Sequence, residues 1–142
     1  MPDLSITISE DPCRNEIKEL AVAVFAKHNA SFNIVLPQEK PFSVLGFKSD
    51  RVVAGLIGKV AWNWLYADLV WVDEDLRGQG LGTHVMRAAE RSAREKKLSG
   101  IYLWTASWQA PIFYRKLGYT QFAEFRDCPP GHSRLGFLKY LA

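Results

Sequence analysis

The sequence of 142 residues is poor in cysteine and histidine, and it contains no long apolar run. The two cysteines, Cys13 and Cys128, share no metal-ligand spacing with each other or with the three histidines. We therefore expect no metal site and a reducing compartment. No apolar run is long enough to span a bilayer, and residues 1–10 lack the basic and apolar regions of a signal peptide. These absences predict a cytoplasmic protein that does not bind membranes.

The sequence also lacks a strong charge bias, because it contains 18 basic and 15 acidic residues and its formal net charge is +3. The densest basic group, Arg94, Lys96 and Lys97, ends a predicted helix. Cations at that end suit the negative pole of the helix dipole. We therefore expect no nucleic-acid partner.

The length and composition fit one globular domain, which we place at residues 1–142. Apolar residues make up 48% of the chain and aromatic residues 13%. The hydrophobic periodicity predicts a mixed α/β (α+β) fold in the order strand, helix, three strands, helix, strand, helix, two strands. The strands are expected at residues 4–9, 42–47, 52–62, 65–72, 101–105, 120–125 and 133–141. Helices are expected from Asp11-Pro12 to His28, from the glycines near 80 to Lys97, and up to Leu117.

The most informative segment is a glycine-rich turn between an apolar strand and an Ala-rich helix. It reads Arg77-Gly78-Gln79-Gly80-Leu81-Gly82. Glycines let the backbone approach a ligand closely, and a helix N-terminus offers unpaired N–H groups that favour phosphate. The spacing is wrong for a dinucleotide fold, and Thr83-His84 after the last glycine is wrong for a P-loop. A plain tight turn is the remaining alternative.

This turn resembles the R/Q-x-x-G-x-G/A signature of the GNAT acetyltransferase superfamily. A second block, residues 110–119, reads A-P-I-F-Y-R-K-L-G-Y and resembles the family's A-x-x-x-Y-x-x-x-G-F block. The two blocks occur in the family's order, and the resemblance extends from about Phe42 to the C-terminus. It implies a GNAT-like fold, with a central mixed, mostly antiparallel sheet, a splayed parallel strand pair and flanking helices.

The resemblance also implies acetyl-coenzyme A as the acetyl donor, without a metal. The N–H groups of the glycine turn would hold the pyrophosphate, and the strand before it would pair with the pantetheine arm. Ser107 stands where the family often has an Asn that contacts the cofactor, and its side chain has a shorter reach. The implied cofactor-binding residues are Val70, Trp71, Val72, Arg77, Gly78, Gln79, Gly80, Leu81, Gly82, Thr83, Ser107 and Tyr114.

Two residues are candidates for the chemistry. Tyr114 matches the family's general acid, which would protonate the departing thiolate; the alternative is a Tyr that only packs. Asp68 is a carboxylate in an otherwise apolar strand, with the same strand parity as Tyr66, Val70 and Val72. It could deprotonate the incoming amine, or it could instead pair with a cation or cap a backbone group.

Aromatic residues near these candidates could shape an acceptor pocket, and Trp108 and Gln109 could line the same cleft. Trp62, Trp64 and Tyr66 alternate along the chain, and Trp108 and Gln109 precede Tyr114. Core packing explains the first three equally well.

The resemblance therefore implies an N-acetyltransferase that moves acetyl from acetyl-coenzyme A to a primary amine. No Cys lies near the candidate site, so we expect direct attack in a ternary complex. The absence of a charged patch favours a small-molecule amine, and a homodimer is compatible with the sequence. Two alternatives stay open: a non-catalytic acetyl-coenzyme A sensor or interaction module, and a plain structural domain.

Overall fold

The computed structural model describes residues 3–142, so Met1 and Pro2 of the segment that we examined for a signal peptide lie outside it. The chain divides into two compact units, one ending at Pro37 and one spanning Gln38–Ala142. The assignment of residues 1–142 to one domain remains a prediction.

Among its described residues, 3–37, the first unit contains one helix, α1 (Asn15–Ala30). Glu16 lies in its first turn and Lys27 in its last, so charges of both signs complement the helix dipole. The helix begins three residues after the predicted Asp11-Pro12 start. The strand predicted at residues 4–9 is wrong, because these residues form no strand pairing. Alternation of apolar and polar residues produces a strand only where a partner edge is present to hydrogen-bond with it.

The second unit contains the remaining elements. All the strands and helices predicted after residue 40 are confirmed, with boundaries that shift by a few residues. None of the helices within residues 3–142 combines the length and apolarity needed to cross a bilayer. The elements are β1 (Lys40–Lys48), β2 (Arg51–Ala61), β3 (Trp64–Val72), a short 3-10 helix (Glu74–Leu76), α2 (Leu81–Glu95), β4 (Gly100–Ala106), α3 (Pro111–Lys116), β5 (Thr120–Arg126) and β6 (Ser133–Tyr140).

The six strands form one sheet in the order β1-β2-β3-β4-β6-β5. Strands β3 and β4 are parallel, and every other neighbouring pair is antiparallel. Helix α2 is the crossover that this parallel pair requires. The mixed, mostly antiparallel sheet with one parallel pair is therefore confirmed.

One face of the sheet carries the core. Leu56, Leu65, Ile101 and Phe137 are fully buried there, within the same cluster as an apolar stripe on α2. The stripe consists of Val85, Met86, Ala89 and Ala93. Each fully buried aliphatic or aromatic side chain contributes about 1.5–3 kcal/mol by the hydrophobic effect. This packing holds the N-terminus of α2 at the end of β3.

The turn between β2 and β3 sets the register of the parallel pair. Trp62 and Asn63 both have positive φ, 46° and 66°, as in a two-residue hairpin turn. The Asn63 side-chain amide donates to Ser99 Oγ at 3.0 Å, and Ser99 N–H donates to Asn63 O at 2.8 Å. These bonds fix the start of β4 beside the start of β3. Trp62 therefore lies in a turn rather than in the predicted strand, and only Trp64 and Tyr66 alternate along β3.

Candidate active site

The glycine turn leads directly into α2 and leaves its first amides available. Gly78 and Gly80 adopt left-handed conformations, with φ of 79° and 81°, and a Cβ added at either would meet no atom within 4 Å. Gly80 is the N-cap of α2, and no side chain caps this helix start in the chain from residue 3 onward. The N–H groups of the first turn therefore lack partners within the helix and remain free to bind an anion.

Arg77 is held at the base of this turn. Its Nε donates to the carbonyl oxygen of Val72, the last residue of β3, at 3.2 Å. The side chain is otherwise exposed, so the other guanidinium N–H groups can reach an anionic ligand. The bond thus links the positive charge of the turn to the end of the strand.

Strands β3 and β4 separate beside this turn. Their parallel pairing runs from Trp64 opposite Gly100 to Ala67 opposite Leu103 and then ends, although β3 continues to Val72. The edge of β3 from Asp68 onward is therefore unpaired on the side of β4, and an extended ligand can hydrogen-bond to it. This opening is the splayed pair that the sequence predicts.

A cleft of about 820 Å3 occupies the opening. It brings together the unpaired edge of β3, the glycine turn and the side chain of Tyr114. Its lining residues are Ala67, Asp68, Leu69, Val70, Trp71, Val72, Leu76, Arg77, Gly78, Gly80, Leu81, Gly82, Thr83, Trp104, Thr105, Trp108, Gln109, Ala110, Phe113 and Tyr114. The predicted cofactor residues are therefore placed together, with the exception of Gln79 and Ser107.

Asp68 occupies a β-bulge, which corrects its predicted orientation. Gly58 pairs with Ala67 and Ile57 with Leu69, so Asp68 is an extra residue in β3. A bulge reverses strand parity, because one residue is left without a partner. Tyr66 consequently lies on the sheet face opposite to Val70 and Val72. The prediction that Tyr66, Asp68, Val70 and Val72 all lie on one face is therefore wrong. Gly58 permits the bulge, since a Cβ there would strike Tyr66 O.

The Asp68 carboxylate is exposed and lines the cleft. Burial raises the pKa of the Tyr66 phenol, and the negative charge of nearby Asp68 raises it further. No hydrogen bond or ion pair engages the Asp68 side chain within residues 3–142. Its position at the point where β3 and β4 separate leaves it available to a ligand.

Tyr114 lies on α3 and is 6% exposed. Its ring packs against those of Phe113, Tyr119 and Phe137, with centroid distances of 5.1, 5.9 and 6.1 Å. The hydroxyl makes no hydrogen bond to any group described in the structure, yet it is not sealed from solvent. Burial raises the pKa of Tyr114 to about 12. Tyr114 therefore lines the cleft with a largely buried phenol that keeps its proton at neutral pH.

Ser107 is engaged elsewhere. Its Oγ accepts a hydrogen bond from Ser133 N–H at 3.1 Å, and its own N–H donates to Ser133 O at 2.8 Å. Ser107 thus joins the end of β4 to the start of β6 and does not line the cleft. A role for Ser107 or Gln79 in cofactor binding stays a prediction.

Thr105, at the end of β4, lines the cleft but was not among the predicted site residues, whereas Trp108 and Gln109 were expected to line the cleft and do so. Thr105 is 5% exposed, and its Oγ1 accepts a hydrogen bond from Ala110 N–H at 3.3 Å. Gln109 Oε1 accepts from Ala106 N–H at 2.8 Å, so its side chain orders the turn that leads to α3. Trp104 also reaches the cleft. The apolar pattern of β4 shows a strand but does not show which residues reach a cleft.

Comparison with known proteins agrees with this geometry. The family model described as "Acetyltransferase (GNAT) family" matches residues 8–119. Blasticidin-S acetyltransferase from Streptomyces morookaense is 44% identical over 82 residues, which are 57% of this chain and 60% of that protein. Acetyltransferase Atu2258 from Agrobacterium fabrum (strain C58 / ATCC 33970) is 34% identical over 84 residues, 59% of this chain and 61% of that protein. The chain therefore spans less than two thirds of the length of these curated relatives.

A solved structure covers more of the chain. The crystal structure of an acetyltransferase from Bacillus cereus ATCC 14579 is 30% identical, with a TM-score of 0.82, and the match covers 95% of this chain and 98% of that chain. The family model includes the glycine turn and the Tyr114 block, which the structure places around one cleft. The chain thus belongs to the acetyltransferase (GNAT) family.

Proposed function

We propose that this chain is an N-acetyltransferase that transfers acetyl from acetyl-coenzyme A to a primary amine of a small molecule. The observation that carries the proposal is the cleft itself. It joins an anion-binding helix N-terminus, an unpaired strand edge and a buried proton donor. Acetyl-coenzyme A would supply an activated thioester, and family membership supports this donor.

The residues present fit this donor. The free amides of the α2 N-terminus and the Arg77 guanidinium suit a pyrophosphate. The unpaired backbone of Val70 to Val72 suits an amide-containing arm, which can add to a strand edge. Gly78 and Gly80 leave open space beside the turn, and a side chain at either position would occupy part of it. The cleft therefore offers separate groups for the pyrophosphate and for the pantetheine arm of the coenzyme.

Each reacting proton also has a candidate partner. Asp68 accepts a proton from the incoming ammonium, whose nitrogen then forms the new C–N bond. Tyr114 donates its proton to the sulfur as the C–S bond breaks, and the second proton that the nitrogen loses on forming the amide restores the phenol, while Asp68 releases its proton to solvent. The lining contains no Cys, and Cys13 is exposed while Cys128 lies beyond the cleft. This arrangement supports direct transfer within a ternary complex.

The acceptor side of the cleft supports a small organic amine. Trp104, Trp108 and Asp68 all line it, and together they offer aromatic surface beside one negative charge. Such a site suits a protonated amine that carries apolar or ring atoms. The relative named Blasticidin-S acetyltransferase supports the same class of acceptor.

The direct test is a panel of amines, blasticidin S included, assayed for release of free coenzyme A. We expect release that depends on both the amine and acetyl-coenzyme A. Binding of acetyl-coenzyme A without turnover on any amine would favour the non-catalytic sensor instead. Absence of binding would reject both.

Replacement of Gly80 by Val tests the pyrophosphate site. Acetyl-coenzyme A at about 100 times its Kd should stabilise the wild-type protein by about 2.7 kcal/mol and raise its Tm. The valine side chain would enter the open space above the α2 amides, so we expect Gly80→Val to lose this shift. Thermal melts with and without ligand measure it.

Gly131→Val is the matched control. Gly131 has a φ of 83°, close to the 81° of Gly80, and a Cβ there also meets no atom within 4 Å. Both variants therefore carry similar backbone strain, but Gly131 does not line the cleft. Gly131→Val should keep the ligand-induced shift, and a full shift in Gly80→Val would contradict the pyrophosphate assignment.

Asp68→Asn tests the general base. We expect kcat/KM for the amine to fall by about 10²-fold at pH values below the pKa of the acceptor, where the amine carries an extra proton. Above that pKa the loss should shrink, because the free amine is already abundant. Asp75→Asn, on the exposed 3-10 helix outside the cleft, should retain the wild-type profile. A pH–rate profile of Asp68→Asn parallel and equal to that of the wild type would exclude the role.

A further inference from the structure

A carboxylate on α2 is fully buried and takes no part in the cleft. Glu90 is 0% exposed, and its oxygens accept hydrogen bonds from three side chains. The donors are Arg87 Nη1 at 2.7 Å, Lys139 Nζ at 3.1 Å and the Tyr119 hydroxyl at 3.2 Å. Burial alone would raise the pKa of Glu90, but the bonds and charges of Arg87 and Lys139 outweigh it and lower the pKa. Glu90 is therefore an ionised group with satisfied hydrogen bonds.

Two of these donors connect Glu90 to the turn that ends α3. Lys139 Nζ also donates to Leu117 O at 2.9 Å, so one ammonium bridges α2 and this turn. Tyr119 N–H donates to Tyr114 O at 3.0 Å, and Leu117 N–H donates to the same oxygen at 3.1 Å. The backbone of Tyr114 is thus two hydrogen bonds away from the buried carboxylate.

Helix α2 carries both Glu90 and the proposed pyrophosphate site. Glu90 lies nine residues after Leu81, about 13–14 Å along the helix axis. At the other end of α2, a Cβ on Gly82 would lie 3.3 Å from the Phe113 ring, so α2 and α3 also touch there. These two contacts set the position of α3 relative to the glycine turn.

We infer that Glu90, Lys139 and Tyr119 are positioning residues for Tyr114. They hold α3 so that the Tyr114 hydroxyl faces the cleft at a fixed distance from the α2 amides. The inference rests on the proposed role of Tyr114 as proton donor. Proton transfer requires donor and acceptor within hydrogen-bond reach, and a shift of about 1 Å can cost about 10²-fold in rate.

The experiment measures single-turnover acetyl transfer by Tyr119→Phe, which removes one hydrogen bond to Glu90 and keeps the packed ring. We expect a loss of about 10-fold with an unchanged Kd for acetyl-coenzyme A, since the coenzyme contacts are intact. Tyr140→Phe is the control, because Tyr140 is exposed on β6 and outside the cleft. It should transfer acetyl at the wild-type rate.

Repeating Tyr119→Phe in a Tyr114→Phe background separates positioning from general stabilisation. If Tyr119 acts through the Tyr114 hydroxyl, the second substitution should cost nothing more. An equal loss in both backgrounds, or a wild-type rate for Tyr119→Phe beside a slow Tyr114→Phe, would overturn the positioning role alone. A wild-type rate for Tyr114→Phe would overturn the acid role and the positioning role together.

Discussion

Tyr114→Phe is expected to lower the single-turnover rate of acetyl transfer by about 10²–10⁴-fold, the usual contribution of a general acid. The substitution removes one hydroxyl and keeps the ring that packs against Phe113, Tyr119 and Phe137. The thiolate would then leave without a proton donor. The KM for acetyl-coenzyme A should change little, because the glycine turn and the β3 edge are unaltered.

The pH dependence of this variant provides a further check. Burial raises the pKa of Tyr114 to about 12, so the wild-type phenol should retain its proton throughout the usual assay range. The rate ratio between wild type and Tyr114→Phe should therefore stay constant from about pH 7 to about pH 10. Rapid-quench measurements avoid masking by slow product release. Equal single-turnover rates would assign Tyr114 to packing and leave the acid to water or another group.

Glu90→Ala should lower the free energy of unfolding by about 3–5 kcal/mol, the usual cost of breaking a buried ion pair. The substitution leaves the Lys139 ammonium, whose side chain is only 18% exposed, without its carboxylate partner. It also leaves the Tyr119 hydroxyl without its acceptor. Urea titration measures the loss. Glu124→Ala on the exposed surface of β5 is the control and should change stability by less than about 0.5 kcal/mol.

The contribution of Glu90 to the free energy of unfolding should also depend on pH, and the direction of this dependence follows from its pKa. Its pKa is lowered in the folded protein, so the unfolded chain binds a proton first as the pH falls. The stabilisation is therefore present above the unfolded pKa and declines as the pH drops through the folded value. The difference between wild type and Glu90→Ala should shrink below about pH 4. A constant difference at all pH values would show that lost packing, rather than the charge, explains the effect.

Local features of the sequence were sufficient for the elements of the second unit and for much of the candidate site. The strand β3, the glycine turn and α2 follow each other closely along the chain, with only the short 3-10 helix between strand and turn, so periodicity and turn chemistry predict these three directly. The resemblance that places Tyr114 in the site likewise depends on a short block that ends at Gly118. Such features can be recognised in the sequence because residues that lie close together in the structure are here also close together along the chain.

Long-range partners decided what the sequence could not show. The bulge at Asp68 depends on how β2 pairs with β3, and it moves Tyr66 to the face opposite Val70. Ser107 bonds to Ser133, 26 residues away, instead of lining the cleft.

The surroundings of Glu90 are the clearest example of a feature that depends on residues distant in the chain. Its position four residues after Met86 places it on the buried stripe of α2. One of its three donors, Arg87, lies three residues before it on α2, but the other two, Tyr119 and Lys139, lie 29 and 49 residues further along. Local patterns were enough to predict the strands and helices after residue 40 and the glycine turn before α2, because these depend on neighbouring residues. The bulge at Asp68 and the bonds of Glu90 to Tyr119 and Lys139 were not predictable in this way, because pairing across a sheet and charge burial depend on partners distant in the chain.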